Sequence, residues 1–319
     1  MEPANCSTAS AVVDIAVGTM LTLECVLGLM GNAVALWTFF YRLKVWKPYA
    51  VYLFNLVVAD LLLATSLPFF AAFYLKGKTW KLGHVPCQVL LFLLAFSRGV
   101  GVAFLTTVAL DRYLRVVHPR LRVNLLSLRA AWGISNLIWL LMAALTPQNL
   151  LACKTTQNST ECPSFYPVGE TKAIATYQEV LFFLQVLLPF GLISFCNSGL
   201  IRTLQKRLRE SDRQPRIRRT RVLVAMVLLL FGLCFLPSVV TRVLVHIFRE
   251  FKSCSVQQAI GQVSDIAGSL TCLHSALSPA VYCFSNPAFT HSYRKVFKSL
   301  RGRRKAAESP SSNLRDSYS

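Results

Sequence analysis

The sequence predicts an all-α membrane protein built as a bundle of seven transmembrane helices. Three observations carry that expectation. Of the 319 residues, 54% are hydrophobic and only 15% charged, and the mean hydropathy of +0.48 is too high for a soluble domain of this size. Apolar runs recur at 14–41, 49–75, 87–110, 130–146, 173–201, 222–248 and 258–284, each near the ~20 residues a helix needs to cross a bilayer. With the N-terminus outside, 25 of the 34 Lys and Arg fall in the loops after the first, third and fifth runs or in the C-terminal tail. The positive-inside rule therefore predicts an extracellular N-terminus and a cytoplasmic C-terminus.

The same sidedness disposes of the reading that a net charge of +20 invites. A soluble chain so basic would suggest nucleic acid, whereas here the charge is a topology signal and no nucleic-acid partner is expected. The clusters Arg202 to Arg221 and Arg294 to Lys305 are placed to meet anionic membrane lipids or a cytoplasmic partner. Nothing before the first run has the layout of a cleavable signal peptide, so that run is expected to serve as the insertion signal. Of ten cysteines, Cys6, Cys87, Cys153, Cys162 and Cys254 fall outside, where two disulfides can form with one thiol left over. Cys25, Cys196, Cys234, Cys272 and Cys283 lie within spans as small core residues.

Taken in order, the N-terminus carries the glycosylation sequon of Asn5 and the second extracellular loop that of Asn158, both on the expected outer side. Span one contains Asn32 and span two Asn55 and Asp60, polar groups that must find partners inside the bundle. Span three begins near Cys87, carries Arg98 near its middle and ends in Asp111-Arg112-Tyr113. Span four has Trp139, span five Pro189, span six Cys234-Phe235-Leu236-Pro237 with Arg242 beyond it, and span seven Ser278-Pro279-Ala280-Val281-Tyr282. Prolines inside spans free backbone carbonyls and make the kinks a switching bundle needs.

Arg98 is the residue that asks for a function. A guanidinium in mid-membrane costs about 3 kcal/mol or more, so it faces a wet cavity or the bundle interior. It lies eleven residues below Cys87, ~16 Å down the helix. Its planar fork suits a bidentate carboxylate, with Gly99 and Gly101 expected to leave room beside it. The competing assignment is an internal ion pair with Asp60, about one turn deeper. Arg242, nearer the outer mouth, is either a second ligand contact or a partner for Asp265.

Asn32, Asp60, Cys87, Asp111-Arg112-Tyr113, Trp139, Pro189, Pro237 and Pro279 to Tyr282, in this order and on these spans, resemble the rhodopsin-like G-protein-coupled receptors. The resemblance implies a Cys87–Cys162 disulfide, an ionic latch at Asp111 and Arg112 that opens toward a heterotrimeric G protein, and rearrangement around Phe235, Pro237, Pro279 and Tyr282 on activation. It also implies that the segment with Phe289, Val296, Phe297 and Leu300 among Lys and Arg is a short amphipathic helix on the inner leaflet. The expected division is then an extracellular N-terminus over 1–13, a seven-transmembrane domain over 14–285, the surface helix over 286–300 and a disordered cytoplasmic tail over 301–319. Serines and Tyr318 of that tail are candidate phosphorylation sites for arrestin binding.

Several positions depart from the family pattern. Phe235 stands where tryptophan is common, Ser278 where asparagine is, and Asn197 where tyrosine is; Gly101 replaces a polar residue that helps Asp60 hold a sodium ion, which weakens that metal site. Leu94 stands where amine receptors carry an aspartate, and Cys272 where opsins carry the retinal lysine. No cofactor is expected.

Phe96-Ser97-Arg98, Asp111 to Pro119 and Cys234 to Arg242 further resemble the branch of receptors for hydroxycarboxylic acids, oxoeicosanoids and 12-hydroxyeicosatetraenoic acid. That branch implies Arg98 as carboxylate anchor, Arg242 at the pocket rim, Ser164 and Phe165 covering the ligand, and a second disulfide joining Cys6 to Cys254 with Cys153 left over. Cys272 replaces a tyrosine of the niacin-responsive members. The expected ligand is a carboxylic acid, the eicosanoid 12-(S)-hydroxyeicosatetraenoic acid ahead of small acids such as lactate or pyruvate, and the expected transducer is an inhibitory G protein. A ligand-independent receptor is the remaining receptor reading. An anion transporter would call for internal inverted repeats, and none is visible; an enzyme would call for a metal-binding helix, nucleophile elbow or phosphate loop, and none is present.

Overall fold

In hydrocarbon every backbone polar group has to be paired within its own segment, so each apolar run becomes a helix. A computed structural model describes residues 10–121, 126–147, 154–156, 159–161, 177, 180–210, 214–248, 253–285 and 287–307. The helices are α1 Ala11–Tyr41, α2 Pro48–Leu75, α3 His84–Val117, α4 Leu128–Leu145, α5 Leu188–Glu210, α6 Gln214–Phe248, α7 Cys254–Leu270, α8 Leu273–Ser285 and α9 Pro287–Ala307. Among the described residues six stretches are long and apolar enough to cross a membrane: Ala11–Tyr41, Pro48–Leu75, His84–Val117, Leu128–Leu145, Val180–Thr203 and Ala225–Phe248.

The seventh crossing is made by two helices in succession. α7 ends at Leu270, α8 starts at Leu273, and tight bonds bridge the break: the Thr271 N–H donates to Ala267 O and Gly268 O, and the Cys272 N–H to Ser269 O at 2.8 Å. Both helices pack on α1 and α6. α2 lies centrally, against α1, α3, α4 and α8. In span five a wide turn at Phe183–Leu187 precedes α5, with the Leu188 N–H reaching back to Phe183 O. Pro189 has no N–H to continue the α-helical ladder, and a widened turn absorbs the fault.

Among the described residues two large apolar clusters fill the bundle. The larger includes Leu53, Leu56, Phe104, Phe231, Phe235, Tyr282 and Phe289; the second, nearer the start of α1 and α3, includes Leu21, Leu63, Leu67, Leu90, Leu94 and Cys272. Leu23, Leu137, Leu140, Phe195, Leu229 and Val243 instead face outward, as expected of side chains whose solvent is lipid.

The structure departs from the sequence expectation in two places. Lys154–Thr156 and Ser159–Glu161 form a small antiparallel β-hairpin, β1 and β2, with Thr155 opposite Thr160. α9 runs on to Ala307 rather than ending at 300, because Arg301 to Ala307 is rich in helix formers and its basic side chains suit a helix C-terminus. Only part of α9 is packed: Phe289 is buried against Phe39 and Tyr282, while Phe297 is 68% exposed. The expected start of span five at 173 lies outside the described residues.

Candidate functional site

Arg98 lies on the interior of α3, and its Nη1 donates to Thr271 Oγ1 at 3.0 Å across the bundle. Thr271 is held in turn by donating to Gly268 O, so the break between α7 and α8 presents a fixed acceptor to the guanidinium. Among the described residues no carboxylate pairs with Arg98. Asp60, the alternative partner, accepts from Tyr282 Oη at 2.9 Å instead. Asp265 likewise does not pair with Arg242: it accepts from Tyr74 Oη and from Lys78 Nζ, each at 2.8 Å, while the Arg242 guanidinium lies 4.7 Å over the Phe182 ring.

Of the expected contacts around Arg98, Leu94 and Cys272 are buried in the same apolar cluster, and Ser164 and Phe165 lie outside the described residues. The room expected at the two glycines is occupied. Gly99 faces Met142 and Gln185, and Gly101, one turn below Arg98, faces His274 and Asp60. Rotation of about 100° per residue sends the two glycines to different neighbours. An apolar cavity of about 370 Å³ opens between α6 and α7, lined by residues including Leu244, Phe248, Val256 and Ile260.

Below Arg98 lies a buried polar core. Asn32 Nδ2 donates to Gly28 O and Ser275 O, both at 2.9 Å, tying α1 to α8. Tyr282 Oη lies between Asp60 Oδ2 and Asn32 Oδ1. His274, which the sequence reading did not single out, completes this core, with Nε2 3.6 Å from Asp60 Oδ1. A signal for it existed: the missing side chain at Gly101 leaves a space that some other residue has to fill. His274 also touches Phe235, at 5.6 Å between ring centres, and Phe235 stacks on Phe231, which stacks on Phe190. Pro237 lies inside α6 two residues beyond Phe235, and Pro279 inside α8, where Gly31 allows α1 to approach it.

At the other end of α3, the expected Asp111–Arg112 latch is replaced by a different pair. Both Asp111 oxygens accept from Arg115 Nε at 2.9 Å, because residues four apart share a helix face whereas adjacent ones do not. The Arg112 guanidinium lies 4.6 Å over the Tyr49 ring, with Nε and Nη2 buried and without hydrogen-bond partners. The Tyr113 ring packs closely on Gly199 of α5. Cys87 and Cys254 are each engaged in a disulfide whose other half lies outside the described residues, while Cys25, Cys196, Cys234, Cys272 and Cys283 are free. Cys6, Cys153, Cys162, Asn5 and Asn158 lie outside the described residues.

Comparison with known proteins agrees with this architecture. The family model described as 7 transmembrane receptor (rhodopsin family) matches residues 31–282. The chain is 91% identical over 319 residues, all of both chains, to the 12-(S)-hydroxy-5,8,10,14-eicosatetraenoic acid receptor of Mus musculus. It is 60% identical to the Homo sapiens protein of that name, over 99% of each chain. Homo sapiens hydroxycarboxylic acid receptor 3 is 39% identical over 85% of this chain and 70% of its own length. With a family match across most of the bundle and relatives this similar along its length, the chain belongs to the rhodopsin family of seven-transmembrane receptors.

Proposed function

We propose that this receptor is switched by a carboxylic acid whose head group is captured at Arg98 and whose apolar tail lies among the outer-half side chains, and that 12-(S)-hydroxyeicosatetraenoic acid is that acid. The observation that carries the reading is a guanidinium inside the bundle, oriented by Thr271 and without a carboxylate partner among the described residues. The names of its mouse and human relatives supply the ligand. Charge-assisted hydrogen bonds from such a group are worth roughly 1.5–3 kcal/mol. Each buried methylene adds about 0.8 kcal/mol before ordering costs, so a long tail raises affinity where a three-carbon acid has nothing further to bury. Cys272 and Leu94 bound the tail region, Arg242 its rim, and Ser164 and Phe165 its cover.

In the same proposal the N-terminus is extracellular, with disulfides Cys87–Cys162 and Cys6–Cys254 and glycans at Asn5 and Asn158. The cytoplasmic ends of α3, α5 and α6, with Arg112 at their centre, engage an inhibitory G protein. α9 rests on anionic lipid of the inner leaflet, and the phosphorylated tail recruits arrestin. The test is G-protein activation in cells bearing this chain or Arg98→Ala at equal surface levels. Titration uses the free lipid acid, its methyl ester and lactate. The free acid alone is expected to activate, with potency falling about 10- to 100-fold in Arg98→Ala. A response to lactate alone would move the ligand to small metabolites, and an unchanged lipid response in Arg98→Ala would remove Arg98 as the anchor.

A further inference from the structure

A second ionisable side chain is carried inside a span in the outer half of the bundle. Glu24 lies near the middle of α1, is 1% exposed, and has no hydrogen-bond partner for either carboxyl oxygen among the described residues. Its direction follows from its neighbours on the helix, because residues three and four apart share a face. Leu21 belongs to the apolar cluster of Leu63, Leu94 and Cys272, and Gly28 meets Ala64 and Ser275. Glu24, between them, is turned toward α2 and α8 and away from lipid. A carboxyl placed there without a partner is expensive, and such a group marks a site by default.

Glu24 and Arg98 share a neighbour. The Cys272 thiol lies within electrostatic reach of both, and Cys272 belongs, with Leu94 one turn from Arg98, to the cluster where the acid's tail is placed above. The carboxyl on α1 and the guanidinium on α3 thus face one apolar region from two helices without pairing with each other. Other polar groups around it are already bonded: Tyr74 Oη donates to Asp265, Ser66 Oγ to Leu63 O, Ser97 Oγ to Leu93 O and Ser275 Oγ to Cys272 O. Glu24 differs from them in having no bond at all.

We propose that Glu24 accepts a hydrogen bond from an alcohol borne partway along the ligand's chain, and so selects hydroxy acids over unsubstituted acids of equal length. The inference rests on the capture of an acid at Arg98 proposed above and adds a second polar contact to it. Arg98 holds any carboxylate, and apolar side chains hold any tail, so neither can favour a hydroxyl. Buried among Leu21, Leu94 and Cys272 alone, the hydroxyl would lose its water without compensation. Against Glu24 it pairs with a group that has no other partner, and an analogue lacking the hydroxyl gains nothing there. A carboxyl oxygen accepts from an alcohol whether ionised or neutral, so the inference does not depend on the ionisation of Glu24.

The test is equilibrium competition binding to the purified full-length receptor, comparing 12-(S)-hydroxyeicosatetraenoic acid with the acid of the same chain and double bonds that lacks the hydroxyl. The native receptor is expected to prefer the hydroxy acid by about 10- to 100-fold; equal binding of the two acids would overturn the proposal without any variant. Glu24→Met exchanges an unpartnered carboxyl for an apolar chain of similar length and is expected to keep its folded yield. In it the preference should fall to about twofold or less, with the affinity for the hydroxyl-free acid unchanged, while Glu24→Gln, whose amide oxygen still accepts, should retain most of the preference. A preference that survives Glu24→Met, or an equal loss of affinity for both acids, would overturn the assignment; the equal loss is what a purely structural carboxyl bonded to internal water would give. Ser264→Ala removes an unpartnered hydroxyl of α7 and is expected to leave the preference intact, whereas its loss there would move the alcohol's contact to α7. Arg98→Ala separates the two claims, since it should weaken both acids by a similar factor and keep their ratio. If it weakens neither, capture at Arg98 fails and the Glu24 assignment falls with it; if it weakens both while Glu24→Met keeps the ratio, the Glu24 assignment alone fails.

Discussion

At the scale of single residues, what distinguishes this bundle is how few atoms decide its polar interior. Asp60 Oδ1 and His274 Nε2 face each other unpaired at 3.6 Å, so a substitution that supplies a donor between them and one that removes the imidazole should have opposite effects. Asp60→Asn offers an amide N–H of nearly the same shape to His274 Nε2 and retains an oxygen for Tyr282. Its folded yield and Tm are expected to match or exceed those of the native receptor. His274→Leu leaves the acid facing hydrocarbon, and a fall corresponding to about 1–3 kcal/mol is expected. Thermal unfolding of the two variants, side by side, checks the order. These contacts were not legible in advance. Asp60 was readable as a buried acid, but its partner depends on how α8 is rotated, and that Arg98 turns to Thr271 rather than to Asp60 depends on where the α7–α8 break falls.

Among elements, the start of α1, the end of α2 and the body of α7 are joined by a lysine from the short connection after α2. Lys78 Nζ lies 2.8 Å from Asp265 Oδ2 and 3.2 Å from Asp14 Oδ1. It is held there by a left-handed backbone, φ +60° following Gly77 at +65°, a conformation that costs a side-chain-bearing residue about 1 kcal/mol or more. Burial alone would lower the ammonium pKa, but the hydrogen bonds and charges of Asp265 and Asp14 outweigh it, and the pKa is raised above the ordinary 10.5. A raised folded value means that the stabilisation is complete below 10.5 and is lost as pH rises through the folded pKa. The part of this stability that depends on the lysine's charge should thus be flat through the physiological range and fall in strong alkali. Lys78→Ala keeps the backbone strain without the ion pairs and is expected to cost about 1–2 kcal/mol after allowance for solvent screening. Lys78→Gly, which relieves the strain, should cost about 1 kcal/mol less. Tm measured for both variants decides the order, and a greater loss with glycine would reject the strain argument. The spans that carry this tie were readable from hydropathy to within a few residues. The break at Thr271–Cys272 was not, since both halves are apolar and the interruption is a matter of hydrogen bonding rather than composition.

For the whole molecule, the proposed function raises the question of how an acid held at Arg98 would act on the far ends of α3, α5 and α6, around Arg112. The order of motifs made the family legible, because each motif lies on a span whose apolar length fixes its depth. The route between the sites was not legible, because it is made of side chains that meet only after the helices are packed. Thr271 couples Arg98 to the α7–α8 break, His274 lies three residues beyond, and the rings of His274, Phe235, Phe231 and Phe190 run from α8 through α6 into span five. Such a stack links the two ends only if it adopts two arrangements whose balance both sites bias. Linkage then requires that bound G protein tighten ligand binding by the same factor by which ligand tightens G-protein binding, typically 5- to 150-fold. Phe235→Leu keeps an apolar side chain but removes the ring that touches both His274 and Phe231. It is expected to reduce the factor several-fold while ligand affinity without G protein changes little. Radioligand binding with and without nucleotide-free G protein, on native and variant receptors at matched expression, measures the factor directly. A variant that keeps the full factor would place the coupling elsewhere than in this stack.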